Sequence, residues 1–348
     1  MIVKNMDGQI ESLDLLRAIA AVAVVVFHSS STMARDDSLR ILVAAFLNWC
    51  VPIFLMITGA LFLRSEKHRP LAQIIRHNIV KVLIILGFWG FIYNFLSNVL
   101  IEHSFGIEIV WKSVKMVLIG DTSFCYQFWY LYVLVGLYLL IPIIKPWVNQ
   151  NILENKITGE AKLFIMLFLV VSVVLPTFSK IVGNTEVLWK GAFLPFSVFF
   201  LYILLGHLLM SNGMSSVTRK VLYIFLAIQS ILLIYLAITG KYKMADRLTG
   251  YSSIFTCNLS VVLFDAVQRI DLSKLARRIR SSYILIAEYS FGIYIFHVIV
   301  LQFLRKVGFT SDHINSVIFL LFTSIVALFS SIIGTLLCKK IPFLRRTV

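Results

Sequence analysis

Charge is scarce in this chain of 348 residues: 14% are Asp, Glu, Lys or Arg, and acids are the scarcer sign, 17 against 32 basic residues. Soluble domains carry about 25% charged residues, so a deficit of this size excludes a chain that coats itself with a hydrated surface. Proline is rare at 7 residues and cysteine at 4. Cys50, Cys125, Cys257 and Cys338 have no paired metal-ligand spacing, so no metal site is expected and they read as free packing residues. The shortage of acids leaves a formal net charge of +15. The basic residues nevertheless fall between apolar segments instead of forming one face or tail, which argues against nucleic acid as a partner.

What is present is apolar length. Hydrophobic residues make up 59% of the chain, with 28 Phe, and mean hydropathy is +0.90. Crossing a bilayer takes about 20 residues at about 1.5 Å rise each. The apolar runs predict an all-α, polytopic integral membrane protein with about ten transmembrane helices, near 13–31, 41–63, 79–100, 126–144, 163–179, 192–211, 220–239, 252–268, 282–304 and 314–337. Residues 13–27 have the length of a signal-peptide core. Thr32-Met33-Ala34 is a poor cleavage site and the following chain is equally apolar, so a retained first helix is expected. With the N-terminus in the cytoplasm, 20 of the 32 basic residues fall in cytoplasmic segments, 11 in outer ones, and Arg17 in the first span. This bias predicts both termini in the cytoplasm, and no soluble domain of working size fits, so residues 1–348 read as one membrane domain.

The longest outer connection, 101–125, contains at Ile101 to Leu118 the pattern of a short interfacial helix that either covers an outward cavity or lies on the membrane. Pro52, Pro142 and Pro195 lie in or at the ends of spans, where they kink or stop helices. No internal repeat is evident.

Ionisable residues inside spans are costly and mark protein-facing or water-facing positions. Here they are Asp14, Arg17, His28, His207, Asp265, Glu288 and His297. Arg17 and His28 share the first span with ten residues between them. Eleven steps of about 100° return to within about 20° of one face and separate the two by about 16 Å along the axis. The blander alternative has Arg17 snorkelling to headgroups and His28 packing through a hydrogen bond. Asp14, three residues before Arg17, can orient it or serve as an ordinary helix-start carboxylate. His207 and Asp265 lie near cytoplasmic span ends and read as structural.

Four stretches then carry a resemblance. They are Leu13-Asp14-Leu15-Leu16-Arg17-Ala18-Ile19-Ala20 with Val26-Phe27-His28; Val51 to Gly59, reading VPIFLMITG; Phe128-Trp129-Tyr130-Leu131-Tyr132 continuing to Gly136-Leu137-Tyr138 and Pro142; and Tyr289 to His297, reading YSFGIYIFH. In this order, over essentially the whole chain, the sequence resembles the membrane-bound acyltransferase-3 family, and in particular its bacterial surface-polysaccharide O-acetyltransferases. The resemblance implies an enzyme of the bacterial inner membrane that moves an acyl group, by default acetyl from cytoplasmic acetyl-CoA, to a hydroxyl of an envelope glycan such as lipopolysaccharide or capsule, or of a lipid-linked sugar.

By the same resemblance Arg17 helps hold the donor and His28 is the essential acyl-transfer residue. His297 would orient the substrate or His28, or else pack as a satisfied histidine. Two departures stand out: Thr58 replaces a commoner Ser and keeps the hydroxyl, and Gln127 stands where the family often has His. Arg69, Arg76 and Lys81, with the cluster at Arg277, Arg278 and Arg280, are candidates for the phosphates of CoA; anionic lipid is their simpler partner. Trp129, Tyr130, Gln127, Glu288 and Thr58 are candidates for lining the acceptor route, and an outer aromatic belt is the alternative for the aromatic pair. A permease for a sugar, glycolipid or small polar solute is the reading from a different functional class. Membrane lipids surround the chain on either reading, and a homodimer is compatible with its apolar surface.

Overall fold

The computed structural model describes residues 6–33, 38–64, 70–102, 105–123, 125–153, 156–182, 198–311 and 314–348. Arg69 and Pro195, the start of the sixth expected span, and the basic residues Lys4, Arg35, Lys67 and Lys190 lie outside the described residues.

The chain opens with α1 (Met6–Ser30), α2 (Ser38–Leu47) and α3 (Cys50–Phe62). The short α4 (Leu71–Ile74) passes through a widened π turn at Ile75–Ile79 into α5 (Val80–Glu102), followed by α6 (Ile107–Leu118) and α7 (Trp129–Asn151). Strands β1 (Ile152–Leu153) and β2 (Lys156–Ile157) pair antiparallel, Ile152 opposite Ile157. This two-residue hairpin qualifies the all-α expectation. Then come α8 (Gly159–Leu169), a second π turn at Val170–Val174, α9 (Leu175–Val182), α10 (Val198–Asn212), α11 (Ser216–Ile238), α12 (Tyr242–Arg247), α13 (Ile254–Gln268), α14 (Arg277–Lys306) and α15 (Ser316–Lys340).

Among the described residues, eight helical segments are long and apolar enough to cross a membrane. Two other expected spans fall on shorter described helices: α10, described from residue 198 onward, and the 15-residue α13. At about 1.5 Å per residue α13 falls short of a hydrocarbon core about 30 Å thick. Both have long buried runs, Phe200 to His207 in α10 and Phe255 to Asn258 in α13, so neighbouring protein surrounds much of each. By contrast, α11 and α15 turn large apolar side chains outward, among them Ile228, Ile238, Ile318 and Phe329. Helix starts are capped where the sequence supplies hydroxyls: the Oγ atoms of Ser215 and Ser253 accept from the backbone N–H of Thr218 and Thr256.

Three helix pairs set the frame of the interior. α3 and α10 run antiparallel and touch backbone to backbone: a Cβ on Gly59 would lie 1.9 Å from the carbonyl oxygen of Ile203, and one on Gly206 would lie 2.0 Å from that of Met56. Small residues permit this approach, as in other membrane helix contacts. α14 and α15 are also antiparallel, Gly292 lying against Thr335 and Glu288 against Lys339. α1 and α14 run parallel, joined at one end by Glu11 with Arg280 and Tyr283 and further along by His28 with His297.

The amphipathic segment in the long connection forms α6, but it folds back along α5: Asn98 donates to the Ser113 hydroxyl at 3.1 Å, and Val117 lies over Gly90. Asp265, expected to be structural, accepts from Arg219 Nε at 2.7 Å and from Nη2 at 3.2 Å, tying α13 to α11. All four cysteines are free and buried.

Candidate active site

A cavity of about 380 Å³ runs among α1, α3, α5, α7 and α14, within the range of small-ligand sites, about 300–1,000 Å³. Arg17 and His28 both line it, with Ala21 and Val24 between them, which is the shared face that eleven residues of α helix dictate. The remaining walls carry Thr58 from α3, Lys81 from α5, Gln127 from the turn before α7, Trp129 and Tyr130 from its start, and Ser290, Phe291 and Tyr294 from α14.

One end of the cavity is basic. Arg17 Nη1 lies 2.8 Å from Asp14 Oδ1, one turn back on α1, so the carboxylate steers the guanidinium while a third of each side chain stays accessible. Lys81 Nζ sits 6.0 Å from the centre of the Phe291 ring. Because α1 and α14 run parallel, with Glu11 beside Tyr283 and His28 beside His297, Phe291 falls level with residues 19 to 22 of α1, on the Arg17 side of His28, which puts Lys81 on that side as well. His77 and Asn78 join them on the lining.

His28 lies toward the other end. Its ring is 5.2 Å from Tyr126 and 5.1 Å from His297, centre to centre. His297 is fully buried, and its Nδ1 is 2.9 Å from the carbonyl oxygen of Ile293. Gln127, 2% exposed, is held by two bonds: its Nε2 donates to Tyr93 Oη at 2.9 Å and its carbonyl accepts from Tyr294 Oη at 2.7 Å, while Tyr93 Oη in turn donates to the Ile295 carbonyl at 2.6 Å. Tyr93 has one hydroxyl proton and gives it to Ile295, so it can only accept from Gln127. That fixes the amide with its nitrogen toward Tyr93 and leaves Oε1 buried without a partner among the described residues. Thr58 donates its hydroxyl to the Phe54 carbonyl at 2.9 Å, so toward the cavity it offers an acceptor. Trp129 packs against Phe199 and Tyr251 at 5.4 and 5.3 Å.

Other candidates lie elsewhere. Glu288 is outside the lining: its Oε1 meets Lys339 Nζ at 2.7 Å and its side chain is 59% exposed. Arg76 and Arg278 are exposed and outside the lining, and Arg69 is among the undescribed residues. No residue of α6 lines the cavity, so that helix does not cover it.

The structure adds His77, Asn78 and Tyr251 to the lining. His77 and Lys81 stand four residues apart, a same-face spacing, whereas Arg76 and Lys81 stand five apart and diverge by about 140°. That spacing was the available signal for His77. Tyr251 had none, because it comes from the loop before α13 and is fixed there by Tyr202, whose hydroxyl donates to its carbonyl at 2.7 Å.

Fold and site together define a polytopic helical membrane protein with a histidine set inside an intramembrane cavity that is basic at one end. The chain belongs to the acyltransferase-3 family: residues 10–337 match the family's sequence model, described as an acyltransferase domain. No curated protein and no solved structure matches it. Membership gives the chain an acyltransferase-type role.

Proposed function

We propose that the protein transfers an acetyl group from cytoplasmic acetyl-CoA to a hydroxyl of an envelope glycan or lipid-linked sugar, in the inner membrane of a bacterium. The observation that carries this reading is the placement of Arg17 and His28 at two heights of one cavity. The acyl donor is an elongated anion with a neutral reactive end. A basic end formed by Arg17, His77 and Lys81 suits its phosphates, Arg17 through planar paired donors and Lys81 as a point charge. The apolar walls between suit its chain, and His28 then meets the thioester.

In the transfer, His28 takes the proton of the acceptor hydroxyl as the oxygen bonds to the acyl carbon. The carbon–sulfur bond breaks, and the departing thiolate receives that proton from His28, so protons and charge balance with no further reactant. The apolar walls around His28 lower the local polarity, which strengthens each of these contacts once donor and acceptor fill the cavity. Trp129, Tyr130 and Tyr251 supply the flat surfaces on which a sugar ring packs.

The test uses purified full-length protein in lipid nanodiscs with labelled acetyl-CoA and an envelope-glycan or lipid-linked-sugar extract, comparing wild type with His28→Ala and Arg17→Ala. Label on an extract component with wild type alone supports the reading and identifies the acceptor. Absence of both CoA binding and transfer by folded protein overturns it.

A further inference from the structure

The bond between His297 Nδ1 and the Ile293 carbonyl has a chemical consequence. A carbonyl oxygen only accepts, so Nδ1 carries the proton. In the neutral ring Nε2 is then a bare acceptor, and it is buried without a hydrogen-bond partner among the described residues. A buried acceptor left unpaired costs about 1–3 kcal/mol, so the fold retains it at a penalty unless something donates to it. The neighbouring ring is His28, 5.1 Å away centre to centre and tilted by 37°. At that centre-to-centre separation, two ring nitrogens that point at each other lie about 3 Å apart. His28 also faces the cavity, whereas His297 is 0% exposed and outside the lining.

We infer that His297 is a positioning residue for His28: its Nε2 accepts the N–H of one His28 nitrogen and thereby holds the other nitrogen unprotonated toward the cavity. The order from cavity to interior is then substrate, base, orienter, the arrangement by which buried groups fix the tautomer of a catalytic imidazole. The orienter here is a neutral ring instead of a carboxylate. It adds no charge to the membrane interior, where an uncompensated ion is expensive.

The inference deepens the acyl-transfer reading and rests on it for one of two readouts. The other needs no substrate: the rate at which diethylpyrocarbonate modifies His28, followed by peptide mass spectrometry on full-length protein in nanodiscs. His297→Phe keeps a ring but no acceptor, and the Ile293 carbonyl retains its helical backbone partner. His297→Gln keeps an acceptor oxygen, and His297→Met serves as a second acceptor-free packing variant should Phe fail to fold. Expected is a several-fold slower modification of His28 in the Phe or Met variant, with recovery in Gln. In acetyl transfer, kcat should fall about 100-fold in Phe or Met with KM for acetyl-CoA unchanged, and Gln should regain most of it. Equal His28 modification in wild type, Gln and the acceptor-free variant overturns the inference, as does equal kcat. If wild type transfers no acyl group, the functional reading fails, and the modification rates still decide the histidine pair.

Discussion

Arg17 and His28 lie eleven residues apart on one helix and face the same cavity, about 16 Å from each other along its axis. Separation on a rigid element divides labour: a contact at Arg17 can hold the donor without touching the reacting carbon. Arg17→Lys keeps the charge but loses the planar pair of donors. The expected result is a rise of about tenfold in KM for acetyl-CoA, about 1.4 kcal/mol, with kcat nearly unchanged. Steady-state kinetics in nanodiscs decide it, and a fall in kcat alone would place Arg17 at the chemistry.

Lys81 lines the cavity and Arg76 does not. Lys81→Met should therefore raise KM for acetyl-CoA more than Arg76→Met does, although the latter removes the residue type better suited to phosphate. Equal effects would mean that both act through the general field of the basic surface, and raising the salt concentration would then erase both.

The crossing of α3 and α10 makes a sharper stability prediction. An added methyl at Gly59 or Gly206 meets backbone carbonyl atoms at 1.9 or 2.0 Å, which cannot rotate away. Gly59→Ala and Gly206→Ala should each cost about 3 kcal/mol or more, seen as a lower melting midpoint and reduced transfer, since α3 also places Thr58. Gly136→Ala, with nothing within 4 Å of its added methyl, should match or exceed wild-type stability, because alanine favours helix by about 1 kcal/mol over glycine.

What the sequence made legible was mostly what one helix contains. The Arg17 and His28 face follows from helical period alone, and the apolar runs gave the helices with their order. Relations between helices were hidden. The sequence places Glu288 in a span but cannot show that its face of α14 turns to Lys339, 51 residues later. Burial was hidden as well: hydropathy registers the apolar length of α10 and α13 but not that neighbouring helices surround long runs of both.

The Arg219 and Asp265 pair predicts an asymmetry. Asp265 has 6% of its side chain exposed and Arg219 22%, so removing the arginine strands the more buried charge. Arg219→Met should lower the melting midpoint further than Asp265→Asn, which leaves a neutral amide able to accept from the guanidinium. The reverse order would mean that Asp265 is solvated from another side.

The bonds around Gln127 give a prediction in which two losses do not add. Tyr93→Phe removes the acceptor for Gln127 Nε2 and leaves both ends of a buried amide unpaired, at a cost of about 1–3 kcal/mol. Gln127→Leu gives up the same bond but also removes the unpartnered Oε1, and Tyr93 keeps its bond to Ile295; its cost should stay below about 1 kcal/mol, since an apolar replacement of similar shape leaves nothing unsatisfied. Once Leu stands at 127, Tyr93→Phe has no amide to strand. Melting midpoints should therefore rank the single Tyr93→Phe lowest or equal lowest, with the double variant no worse, because residues within one hydrogen-bonded group couple. A double variant that loses the full sum would show that the Tyr93 hydroxyl stabilises the fold through the Ile295 carbonyl alone, and that the amide of Gln127 contributes nothing to holding α5 against α7 and α14.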